Sequence, residues 1–79
     1  MKLNPLGSNR NEVEFGDVTI LFSYKTPVAC HVAGEGFYRT DKQWSRTTSK
    51  HIGQWLRANG SGNATIKPQA YFDNLATQA

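Results

Sequence analysis

Apolar and polar residues alternate through residues 18–24. Val18, Ile20, Phe22 and Tyr24 fall on one side, Thr19, Leu21 and Ser23 on the other. A period of two belongs to a β-strand, and β-branched and aromatic residues suit it. The alternation predicts a strand that breaks at Lys25-Thr26-Pro27, where proline lacks a donor and holds Thr26 extended. It resumes over residues 28–33, with Val28, Cys30 and Val32 expected inward and Ala29, His31 and Ala33 outward. Gly34-Glu35-Gly36 reads as a hairpin loop and residues 37–40 as a further strand. Upstream, residues 12–15 alternate as a short first strand before a Gly16-Asp17 turn. Residues 1–10, with Pro5, Gly7 and only Leu3 and Leu6 to bury, are expected to be a loose arm, leaving one domain over 11–79.

The period changes at residues 44–60. At 100° per residue, Ile52, Trp55, Leu56 and Asn59 share one side of a helix. Arg46, Lys50 and Arg57 gather opposite, within about 40° of one another. Ser45, Thr47 and Thr48 are all acceptable caps, and a start at Ser45 sets Arg46 against the positive end of the helix dipole. Gly53 inside the helix is read as close packing against a strand, the alternative being close approach by a ligand. Asn59-Gly60 ends the helix, residues 64–67 suit a short strand, and Pro68 opens a final helix whose Tyr71, Phe72 and Leu75 cover the core. The predicted fold is α+β: a small antiparallel meander of three or four strands, one amphipathic helix across a face, and a short C-terminal strand and helix.

Composition sharpens this picture in two places. A chain of 79 residues buries only about 60–65% of its unfolded surface, so nine aromatics must supply much of the core. The net charge of +3 is unevenly placed. Residues 39–67 hold six basic side chains and one acid, whereas the first 35 residues sum to −1. Such asymmetry implies one basic surface, attractive to phosphate or to an acidic partner. Cys30 is the only cysteine, and no stretch approaches a membrane span, so a cytoplasmic protein without a membrane partner is expected.

Enzyme chemistry is not expected. Cys30 and His31 point to opposite sides of a strand, and one cysteine with two separated histidines lacks metal-site spacing. No glycine loop cradles a phosphate, so no cofactor is expected. The basic residues instead alternate with aromatics: Arg39, Lys42, Arg46, Lys50 and Arg57 with Tyr38 and Trp44 form a candidate nucleic-acid surface, since exposed rings stack on unpaired bases. Only one of Phe37 and Tyr38 is expected to be available, and Trp55 is expected to pack the helix onto the sheet.

The runs LFSYKTPVA, GFYRTDKQWSRTTSKHIGQWL and PQAYFDNL resemble a family of small phage and bacterial proteins of no settled activity. The resemblance spans about residues 18–75 and implies a phage-type setting. There, small basic proteins often bind nucleic acid or block a host protein. The expected function is a basic, non-enzymatic module that contacts nucleic acid. The alternatives are a phage-encoded factor binding a host protein and a homo-oligomer built through an exposed strand edge.

Overall fold

The computed structural model describes residues 2–7 and 9–78. Five strands form an antiparallel meander: β1 (Lys2–Gly7), β2 (Arg10–Phe15), β3 (Val18–Ser23), β4 (Thr26–Val32) and β5 (Gly36–Thr40). Helix α1 (Arg46–Ala58) carries the chain back to β6 (Thr65–Lys67), which pairs parallel with β5, and α2 (Gln69–Gln78) follows. The class is α+β, but the sheet has six strands rather than three or four.

Of the two strands beyond the predicted meander, β6 is the expected C-terminal strand, here joined to the sheet, and β1 is the one not expected. The expected loose arm is β1, paired with β2 through Leu3↔Val13 and Asn4↔Glu12. Pro5 is tolerated there because an edge strand can do without one ladder donor. At the other edge, the helical crossover lets β6 run parallel, as a two-residue hairpin could not.

A helix sits on each face of the sheet. Leu21, Val28 and Ala29 pack with Ile52, Trp55 and Leu56 of α1. Ile20 and Cys30 pack with Phe72 of α2. Residues expected to face outward, Leu21 and Ala29, are therefore fully buried. The register explains the second of these: Leu21 pairs with Ala29 and Phe22 with Pro27, so Val28 is an extra residue in β4. Such a bulge turns consecutive residues to the same side, which is why Val28 and Ala29 both meet α1 while Cys30 meets α2. Pro27 stays within the ladder, and the actual break lies at Tyr24-Lys25, between the paired Ser23 and Thr26.

Ser45 is the helix cap: its Oγ accepts the Thr48 N–H at 3.1 Å. One satisfied donor is worth about 1 kcal/mol, more than the few tenths that Arg46 loses against the dipole. Trp55 is buried against the sheet, edge-on to Phe37 at 5.6 Å, as its spacing predicted.

Candidate nucleic-acid interface

Because α1 buries Thr48, His51, Ile52, Trp55 and Leu56, its opposite side must face water. Arg46, Lys50 and Arg57 lie there, all exposed. Gly53 belongs to the same outward stripe, so its role is not close packing on a strand. A Cβ at Gly53 would meet no strand atom first, but the Arg57 guanidinium at 3.4 Å. That guanidinium therefore folds back along the helix over the space the glycine leaves.

Further sequence candidates lie in the loop between β5 and α1, beside a cleft that none of Arg46, Lys50 and Arg57 lines. Lys42 and Trp44 are exposed there, with the Lys42 ammonium 4.1 Å from the centre of the Trp44 ring. Arg39, half-buried on β5, pairs across the ladder with Ala29 and so lies on the α1 side of the sheet. Arg39, Lys42 and Trp44 line one cleft of about 470 Å³, together with Asp41 and Ile66. The Trp44 Nε1 donates to Gln69 Oε1 at 3.1 Å, which ties the loop to the start of α2. Trp44 nevertheless remains 40% exposed.

Tyr38 does not join this surface. One residue from Arg39 on a strand, it takes the opposite face, where its hydroxyl donates to Glu35 Oε1 at 2.8 Å. Its ring stands edge-on to Tyr71 at 5.7 Å, with the Lys67 ammonium above it at 5.2 Å. The hydrogen bond to Glu35 pushes the Tyr38 hydroxyl above its usual range, with smaller contributions from burial and the Glu35 charge. An aromatic that does reach the basic side is Tyr24. It is 48% exposed, held at φ +59 in the β3–β4 turn, and borders the same hollow as Trp44 and Ser45. Its apolar neighbours and strand-like position hid this, since a bulky residue seldom takes a left-handed conformation.

Beneath the N-terminal turn of α1 lies a buried polar cluster. Ser23 Oγ is 3.0 Å from Thr48 Oγ1 and 2.9 Å from His51 Nδ1. The Ser45 hydroxyl donates to Thr48 Oγ1 at 3.2 Å. If each hydroxyl donates once within the cluster, Thr48 donates to Ser23 and Ser23 to His51, which leaves a neutral imidazole with its proton on Nε2. Burial, then the charges of Arg10 and Lys50, pull His51 below its ordinary value, consistent with that state. A serine beside a histidine suggests a nucleophile and its base, but Ser23 is only 1% exposed and its hydroxyl already serves two partners.

Cys30 is on the other side of the sheet from His51. Its thiol is pushed up to about 11, first by burial, then by Glu35 and against a hydrogen bond with Tyr71. No three His, Cys, Asp or Glu side chains gather as a metal site among the described residues. Among the described residues, no helix is long and apolar enough to cross a membrane.

Arg10 is the functional candidate that sequence reading passed over, because it lay in the expected arm. Counting outward from the Gly16-Asp17 turn sets Phe15 opposite Val18 and Arg10 opposite Ser23, on the α1 side. Its Nη1 donates to Gln54 Oε1 at 2.7 Å, bridging β2 to the helix flank.

A family model described as a family of unknown function (DUF8033) matches residues 1–74. The chain belongs to the DUF8033 family. The match takes in β1 as well as the meander and both helices up to residue 74, so the DUF8033 unit includes the N-terminal strand. Neither the curated proteins nor the solved structures contain a match to this DUF8033 chain.

Proposed function

We propose that this DUF8033 chain is a non-enzymatic module that binds nucleic acid through the outward side of α1. The observation that carries the reading is the exposed stripe of Arg46, Lys50 and Arg57 on a helix whose other side is buried. Three cations on a rigid element can track a phosphate backbone, and Trp44 and Tyr24 at the N-terminal end offer rings for unpaired bases. The resemblance in the TPVA and Trp-Ser runs favours a phage or bacterial cytoplasm as the setting.

Titration with an arbitrary single-stranded oligonucleotide across a salt series tests the reading. Affinity should fall steeply with salt, and Arg46→Ala, Lys50→Ala and Arg57→Ala combined should flatten the slope by about two to three log units per log salt. Each substitution is at an exposed position, so the fold should persist. No retardation at low salt would overturn the reading and turn attention to an acidic surface on a host protein.

Self-association is a second reading with its own observation. β1 is an open edge, and Leu3 on it is 61% exposed beside a hollow that Phe22 and Tyr24 also line. An unpaired edge with apolar side chains invites a second copy. Light scattering at two concentrations distinguishes a fixed monomer from such pairing.

A further inference from the structure

We propose that the cleft between the start of β2 and the flank of α1, lined by Arg10, Thr47, Lys50, His51 and Gln54, is a phosphate-binding subsite. The cleft measures about 400 Å³. Its carrier, a nucleic-acid strand, rests on the nucleic-acid reading; the recognition of the phosphoryl group itself does not.

Three features build the site. Arg10 is positioned rather than waving: Nη1 is held by Gln54 Oε1 at 2.7 Å, and Nη2 reaches the Leu6 carbonyl at 3.4 Å. The backbone makes room for that guanidinium at Gly7, where β1 shifts register and φ is +147. An added Cβ there would come within 2.8 Å of Arg10 Nη2. Lys50 brings a second positive charge from the helix. A planar guanidinium fork beside an ammonium matches the oxygens of a phosphate, which accepts hydrogen bonds from both.

His51 supplies the third feature. Its Nδ1 is committed to the buried Ser23 hydroxyl, so Nε2 is the ring nitrogen left to donate to a ligand. The charges about this ring are Arg10 from β2 and Lys50 from its own helix, with the Tyr24 ring 6.1 Å away across the β3–β4 turn. Glu12, the next residue of β2 on this face, borders the neighbouring hollow with Arg10 and His51 and is the acid closest in register. A bound dianion would favour imidazolium, opposing the burial and the cations that now keep the ring neutral. Bound phosphate should therefore raise the His51 titration midpoint.

The test is an NMR titration of the full chain with inorganic phosphate, and separately with an oligonucleotide carrying a 5′-phosphate. Phosphate should shift the His51 ring signals and the Arg10 Nε–H, and move the His51 midpoint upward. Arg10→Gln and Lys50→Gln should each weaken this by roughly tenfold or more, whereas Lys67→Gln, on the α2 side of the sheet, should not. Lys50 is exposed, so Lys50→Gln remains informative if Arg10→Gln fails to fold. Absence of a shift at His51, or shifts that survive both substitutions, would overturn the proposal. Phosphate binding without oligonucleotide binding keeps the subsite and assigns it to a free phosphate compound, which defeats the nucleic-acid reading alone. Oligonucleotide binding indifferent to Arg10→Gln defeats the subsite alone.

Discussion

His51 is where the fold and the proposed ligand meet in one side chain. Its imidazole lies against Ser23 and Thr48 under the first turns of α1. Burial lowers its proton affinity most, followed by Arg10 and Lys50, from an ordinary value of 6.5. The unfolded chain therefore takes up a proton at a higher pH than the native one. Between 6.5 and the lower native value, the unfolded state binds more protons, and stability falls as pH falls. Below that window both states are protonated and the dependence flattens. Urea titrations at stepped pH should show this loss. His51→Asn, which keeps an acceptor near the Nδ1 position but cannot titrate, should remove it. A slope unchanged by that substitution would mean that another group carries the acid sensitivity.

At the scale of elements, Gly53 separates folding from binding. A glycine on the outward side of a helix costs about 1 kcal/mol relative to alanine, and the nearest side-chain atoms to its added Cβ belong to the exposed guanidinium of Arg57. Gly53→Ala should raise stability by roughly that amount, read as a higher urea midpoint with unchanged m. If a nucleic-acid backbone approaches the stripe closely, the same substitution should weaken oligonucleotide binding despite the gain. The helix face itself was legible in the sequence, because Ile52, Trp55 and Leu56 follow a period set within one element. So were the β3 alternation and the covering role of Tyr71, Phe72 and Leu75, with Phe72 fully buried. What pattern could not show was which features depended on a partner element. The Val28 bulge reverses the phase of β4 by one residue, and a one-residue slip leaves no composition signal. β1 becomes a strand only because β2 offers an edge. The Ser23–His51 contact joins residues 28 apart, and Tyr38 lies apart from the other candidates because its face of the sheet packs against α2.

For the whole molecule, the decisive fact is that the two apolar clusters share their strands. Ile20 faces α2 and Leu21 faces α1 from adjacent positions of β3, as Cys30 and Ala29 do on β4. Neither face can loosen without disturbing the backbone that supports the other, so both should melt together. Phe72 and Trp55 test this from opposite sides. Phe72 is the fully buried anchor of α2, and Phe72→Ala should cost about 3–5 kcal/mol. At roughly 4–8 °C per kcal/mol for a domain of this size, the midpoint should drop by well over ten degrees. With Trp44, which is tied to α2 through Gln69, replaced by phenylalanine in both proteins, the fluorescence comes from Trp55 and reports on the cluster packed against the other face. One shared unit predicts that Trp55 fluorescence and far-ultraviolet circular dichroism shift by the same amount in Phe72→Ala. If α2 instead melts early while the Trp55 signal stays at its original midpoint, the sheet divides into two independent faces. The basic surface on α1 would then rest on one cluster alone.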